Sequence, residues 1–159
     1  MPPLASLLQP LQLLLLVCLV AVAPVQAVSV PFSSCNAGLP APTTVSMDCA
    51  SLLTDTCVLK KGHTYTLQAE FTPQSPSDDV ESYVAWSLWV EMPLLDQDDD
   101  ACESHLPCPL TPGNPVNFTY PLHIENFWMR RKYPLVWKLR DEDTDNTILC
   151  FKVKTFVTS

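Results

Sequence analysis

Seven cysteines occur in the 159 residues, and six of them lie beyond residue 27: Cys35, Cys49, Cys57, Cys102, Cys108 and Cys150. Thiols at such positions can ligate a metal, act as nucleophiles or pair as disulfides. A zinc site needs clustered ligands, commonly a C-x-x-C step with a partner pair; no C-x-x-C occurs, and His63, His105 and His123 stand apart. An even number of cysteines in a secretory chain reads as disulfides. Cys49 with Cys57 and Cys102 with Cys108 are close in sequence, leaving Cys35 and Cys150. Spacing alone does not choose among the connectivities open to six cysteines.

Nucleophilic or acid–base catalysis needs a base within reach of a nucleophile and a group to orient it. The chain has no G-x-S-x-G elbow and no H-E-x-x-H. The three histidines read as surface residues, and an enzyme is not expected. Asp96, Asp98, Asp99 and Asp100 form an acidic run broken only by Gln97. A calcium loop also needs a turn glycine and a distal glutamate; the run has no such glycine and reads as a solvated loop. Neither a metal nor a cofactor is expected. Asn117-Phe118-Thr119 is a glycosylation sequon, with Asn117 the expected acceptor. Arg130-Arg131-Lys132 follows Phe127 and Trp128, a basic cluster able to attract an anionic membrane weakly.

The elements that must position these residues follow an N-terminal leader. Leu13–Ala23 is uninterrupted apolar sequence, Pro24 ends it, and Val25-Gln26-Ala27 has the small-x-small form of a signal-peptidase site. Such a run is short for a bilayer span, which takes about 20 residues. Residues 1–27 are therefore read as a signal peptide and 28–159 as one domain. The leader carries no charged side chain, so the net charge of −8 belongs to the domain. An acidic domain disfavours nucleic acid as a partner.

Sixteen prolines against three glycines suit short strands joined by extended links. Period-two alternation places Tyr65, Leu67, Ala69 and Phe71 on one face, and Val116, Phe118, Tyr120, Leu122 and Ile124 on another. The same pattern groups Trp86, Leu88 and Val90; Leu135, Trp137 and Leu139, with Val136 opposite; and Leu149, Phe151 and Val153. Shorter strands are expected near Val28–Phe32 and Thr43–Met47. Turn chemistry separates them at residues 60–62, 73–79, 96–100, 111–115 and 141–146. No helical periodicity is sustained. The sum is an all-β two-sheet sandwich of about seven strands. A true immunoglobulin domain is disfavoured, since the cysteines do not flank Trp86 in the required Cys-Trp-Cys arrangement.

Several segments together resemble the ML lipid-recognition family, and within it the soluble sterol carriers. They are the cysteine order, Cys57-Val-Leu-Lys-Lys-Gly-His-Thr-Tyr65, Cys102…Cys108-Pro-Leu110, and Trp137-Lys-Leu-Arg-Asp141…Leu149-Cys150-Phe151. The resemblance spans Cys35 to Val157. It implies an immunoglobulin-like sandwich whose sheets splay around an internal hydrophobic cavity, and the pairing Cys35–Cys150, Cys49–Cys57 and Cys102–Cys108. It puts Leu94 at an entrance position held by phenylalanine in the sterol carriers, Ile124 at a valine position, Trp128 at a tyrosine position and Trp137 on a matching tryptophan. Met92-Pro93-Leu94-Leu95 departs from the carriers by running straight into the acidic loop.

The expected lipid-lining set is Tyr65, Leu67, Trp86, Leu88, Phe118, Tyr120, Leu122, Ile124, Trp137, Leu149 and Phe151, with Leu94 and Trp128 at the mouth. A cavity for such cargo needs roughly 300–1,000 Å³. The expected function is a secreted or endolysosomal carrier of a sterol, fatty acid or related lipid, delivering it to membranes or to a transfer or receptor protein, and monomeric. The alternatives are an innate-immunity binder of microbial lipid or of a receptor, and an adhesive sandwich with a filled core.

Overall fold

The computed structural model describes residues 26–159. The leader expected at residues 1–27 lies almost wholly outside the described residues. Eleven strand segments and one helical turn follow. They are β1 (Val28–Ser29), β2 (Phe32–Ser34), β3 (Thr44–Met47), β4 (Ser51–Leu53), β5 (Thr56–Lys60), β6 (Thr64–Phe71), β7 (Val80–Ser87), β8 (Glu91–Pro93), α1 (Ala101–Ser104), β9 (Val116–His123), β10 (Lys132–Asp141) and β11 (Thr147–Thr158).

Two sheets result. The smaller has the order β1-β3-β6-β9; the seven-stranded one runs β4-β5-β11-β10-β7-β8, with β2 also on β11. The segments outnumber the seven strands expected because the chain breaks at its edges. Val28–Phe32 does not form one strand: β1 pairs with β3 and β2 pairs with β11, so the chain changes sheets between them. The β4–β5 hairpin carried no alternation long enough to be seen.

Alternation built the centre as expected. Tyr65, Leu67, Ala69 and Phe71 on β6 oppose Leu122, Tyr120, Phe118 and Val116 on β9. Facing them, Trp86 and Val84 align with Leu135 and Trp137, which in turn align with Val153 and Phe151. Trp137 and Phe151 stack with ring centroids 5.6 Å apart. Burying such rings at about 25 cal/mol per Å² drives the two sheets together.

Val136 departs from its expected exposed place. It is fully buried on the outer face of the larger sheet, with Ala85 and Cys150. Residues 35–40 cross that face: Leu39 packs on the cluster, and Cys150 N–H donates to Pro40 O at 2.9 Å. The Cys35–Cys150 disulfide fastens the crossing. Cys49–Cys57 and Cys102–Cys108 complete three disulfides in the expected pairing.

Candidate functional site

The sandwich is open where its two edge strands, β8 and β9, approach each other. Two loops span this gap. The first, residues 94–100, is pinned along β7. Leu94 N–H donates to Val84 O, Ser82 N–H donates to Asp99 O, and the Ser82 hydroxyl donates to Asp98 O. Gln97 acts as an internal strut: its Oε1 accepts from Val84 N–H at 2.7 Å, and its Nε2 donates to Leu94 O at 3.2 Å. The acidic run is thus only partly the free loop its charge suggests.

The run ends by capping α1, an element that no helical repeat announces, although Asp100 and Glu103 have the spacing of a capping box. Asp100 Oδ1 accepts from Cys102 and Glu103 N–H, supplying the partners that a helix start lacks. The turn delivers His105, whose carbonyl accepts from Thr119 N–H and so occupies the exposed edge of β9. Cys102–Cys108 closes this excursion.

The second loop, residues 124–131, carries Phe127 and Trp128 from β9 to β10. Its root is fixed by Gly62 N–H donating to Ile124 O and Ile124 N–H donating to His63 O. Gly62 has φ +72°, and a Cβ there would lie 3.2 Å from Asn126 Oδ1. Glycine is thus required both by the left-handed turn and by the close approach of the loop.

Between the loops lie two adjoining clefts. One, about 380 Å³, is lined by Leu94, Leu122, Tyr120, Phe127 and Trp128 with the polar residues of the 96–105 segment. The other, about 250 Å³, is lined mainly by Trp86, Leu88, Met92, Phe127, Trp128, Met129 and Tyr133. Half-buried Trp128 is common to both. Its ring meets Trp86 edge-on at 4.3 Å, and Trp86 meets Tyr133 at 4.4 Å. Trp128 and Phe127 border both clefts, and Trp86 and Tyr133 back Trp128 on the side of the smaller one. Around them the surface is apolar: Trp89 is 96% exposed and Leu95 80%, and Phe127 and Met129 are also exposed. A third cleft of about 530 Å³ lies on the outer face of the larger sheet, lined by Lys138, Arg140, Lys152, Glu91 and Asp145 among others. Its charged walls do not suit an apolar guest.

The structure brings Leu94, Tyr120, Leu122 and Trp128 together in the first cleft, and Trp86, Leu88 and Trp128 in the second. Tyr65, Leu67, Phe118, Ile124, Trp137, Leu149 and Phe151 line neither; they are buried in the core that joins the sheets. Leu88 arrives by another route than expected: β7 ends at Ser87, and Leu88, Trp89 and Val90 form the exposed turn into β8. Leu95, Phe127 and Met129 were missed because loop residues share no periodic face that alternation can report; Met92 lies on the three-residue β8, and Tyr133 lies on β10, where it extends the Leu135, Trp137 and Leu139 alternation by one step, a signal that was present and not used. Asn117 is exposed on the outer face of the smaller sheet.

The surface reading of the histidines fails at His105, which is 6% exposed and lines the larger cleft. Its burial follows from the backbone bonds of α1 and β9, which turn the ring against Tyr120 and Phe118. Beside it the Tyr120 hydroxyl has its pKa raised to about 12, chiefly by burial and then by the nearby Asp98 charge. It therefore stays protonated, a neutral hydrogen-bonding group in the cleft wall. Among the described residues no group of histidine, cysteine and carboxylate side chains could hold a metal, and no helix is long and apolar enough to cross a membrane.

Comparison with known proteins adds three findings. The family model described as the ML domain matches residues 29–157. The mouse (Mus musculus) protein named NPC intracellular cholesterol transporter 2 is 28% identical over 107 residues, 67% of this chain and 71% of that protein. Its Drosophila melanogaster homolog a is 26% identical over 124 residues, 77% and 83% respectively. A crystal structure of a Niemann-Pick type C2 protein from the Japanese carpenter ant superposes with a TM-score of 0.71 at 17% identity, covering 80% of this chain and 99% of that one.

Proposed function

Since this chain belongs to the ML-domain family, we propose that it is a lipid carrier, with a sterol as the first candidate cargo, held in the clefts between β8 and β9. The observation that carries this reading is the pair of aromatic-lined clefts, the smaller mainly apolar and the larger with one polar wall, meeting at Trp128 at the open edge of the sandwich. Relatives bearing the name of a cholesterol transporter support it. Nothing in the role calls for catalysis.

The energetics suit a carrier. Moving apolar surface from water into a cleft gains about 25 cal/mol per Å². A sterol-sized ligand at about −0.3 kcal/mol per heavy atom reaches roughly −8 kcal/mol, or micromolar affinity. The larger cleft, about 380 Å³, lies near the low end of the range that such cargo needs, and the smaller, about 250 Å³, falls below it. Loading therefore moves Trp128 away from Trp86, joining the clefts, and parts the core side chains behind them, Tyr65 and Phe118 among these. The fully packed residues of the expected lining set enter contact with cargo in this way.

Delivery uses the same edge. Trp89, Leu95, Phe127 and Met129 project apolar surface beside the clefts, while Arg130 and Arg131 add positive charge in an otherwise acidic protein. Apolar tips with neighbouring cations suit the interface of an anionic bilayer. Three disulfides imply folding in an oxidising compartment along the secretory route; residence outside the cell or in the endolysosomal lumen both accord with this.

The decisive experiment is mass spectrometry of an organic extract of the purified, oxidised protein, with an unrelated disulfide-bonded protein as control. A stoichiometric sterol or other apolar lipid is the expected result. An empty extract, together with no binding of added sterol or fatty acid, would overturn the carrier and favour an adhesive sandwich.

A further inference from the structure

The larger cleft has a polar wall whose chemistry restricts the cargo further. Three of its lining residues are carboxylates, Asp96, Asp98 and Glu125, and none of the described residues lining it is lysine or arginine. The groups gather around Asp98. The Ser104 hydroxyl donates to Asp98 Oδ2 at 3.3 Å, and His105 Nε2 lies 3.1 Å from the same oxygen. His105 Nε2 nevertheless makes no hydrogen bond to any described residue, since the carboxylate is misaligned with the ring nitrogen. The His105 side chain is only 4% exposed. A buried polar atom without a partner is costly, commonly retained where something else satisfies it.

From this juxtaposition we infer that the larger cleft prefers single-chain amphiphiles whose head is a protonated amine, and discriminates against free fatty acids. This deepens the carrier reading and rests on it. An ammonium set beside Asp98 donates one hydrogen to the carboxylate and, in the His105 tautomer that carries its proton on Nδ1, another to Nε2. The neutral Tyr120 hydroxyl adjoins the same space. A fatty-acid carboxylate meets three like charges in a partly desolvated wall with no lining lysine or arginine to pair with; the other lining imidazole, His123, already faces Glu125 at 3.9 Å. The apolar tail lies along Leu94, Leu122 and Trp128. The wall is firm enough to discriminate, because Gln97 and Ser82 hold the backbone carrying Asp98.

Isothermal titration of the oxidised protein with myristylamine, myristyl alcohol and myristate at neutral pH, each below its aggregation threshold, tests the inference. The amine is expected to bind about tenfold more tightly than the acid, equivalent to about 1.4 kcal/mol. The difference should shrink as salt rises. In the triple variant Asp96→Asn, Asp98→Asn, Glu125→Gln, checked for an unchanged unfolding transition, the affinities of the amine and the acid should converge. Because these carboxylates are exposed in part, the substitutions leave the core intact. Acid binding as tight as amine binding, or a preference that survives in the triple variant, overturns the inference. Equal binding of all three leaves the carrier standing and removes only the head selection. Failure of all three to bind removes both.

Discussion

Replacing Cys35 and Cys150 together by alanine should cost far more stability than replacing either local pair. The Cys35–Cys150 bond joins residues 115 apart, against 8 for Cys49–Cys57 and 6 for Cys102–Cys108. The loop-closure relation then gives about 4.8 kcal/mol for the long bond, about 2.5 for the first local bond and about 2.2 for the second. A domain of this size has roughly 5–15 kcal/mol in all, so the long bond alone is worth a third of the total or more. Two further losses act in the same direction. The 35–40 crossing is released from Ala85 and Val136, and the three-residue β2 loses the anchor that holds it on β11. The assay is urea unfolding of the three double variants, comparing midpoints and slopes. The Cys35/Cys150 variant should unfold at markedly lower urea, with the other two close together. If the Cys102/Cys108 variant lost as much as the long pair, chain entropy would not be the source of the stabilisation. That variant has a separate signature: it should lose lipid affinity out of proportion to stability, because its bond holds α1 and His105 beside the larger cleft.

Trp128→Ala should speed both uptake and release of lipid in stopped-flow transfer, since the ring dividing the clefts is gone; it should also cost about 2 kcal/mol from a half-buried indole and its edge-on contact with Trp86. Unchanged kinetics in a folded variant would refute the partition role. Asp141 holds its carboxyl below the ordinary value of 3.8, chiefly by accepting from the Ser77 hydroxyl and then from Thr144. Its contribution to stability is therefore present above that value and is lost as pH falls through the depressed one. Melting temperature plotted against pH should accordingly fall less steeply at the acid end for Asp141→Asn than for the parent; parallel acid limbs would exclude this linkage. Asn117 is proposed to bear a glycan, and Asn117→Gln should lower the mass of protein from a eukaryotic secretory host; identical masses would refute occupancy.

Much of the fold was legible because burial imposes period two wherever one sheet face meets the other. Tyr65, Leu67, Ala69 and Phe71 declare β6, and Phe118, Tyr120 and Leu122 declare β9, with no knowledge of the topology. The pattern failed where a second burial event overlay the first. Val136 sits on the polar side of its alternation, yet residues 35–40 cover it, a contact closed by a disulfide across most of the chain. It failed again at short elements. A single turn such as α1 depends on Asp100 capping and on the Cys102–Cys108 closure, neither of which leaves a helical repeat.

The clefts were the least legible part for a related reason. A strand alternates because one of its faces is permanently dry, so alternation marks residues that fill a core. A lipid site has to remain accessible, and its walls are supplied by segments with incomplete burial. Phe127, Trp128 and Met129 are consecutive and Leu94 and Leu95 adjacent, arrangements that no strand or helix period would select. Their apolar character is nevertheless informative, since two loops exposing Leu95 and Phe127 at the larger cleft leave unfavourable contact with water uncompensated. The rigid core and the exposed edge are then two parts of one arrangement. Sheets stapled by Cys35–Cys150 and packed through Trp137 and Phe151 hold the frame, and the loose contacts needed for exchange are confined to the edge where β8 and β9 fail to meet.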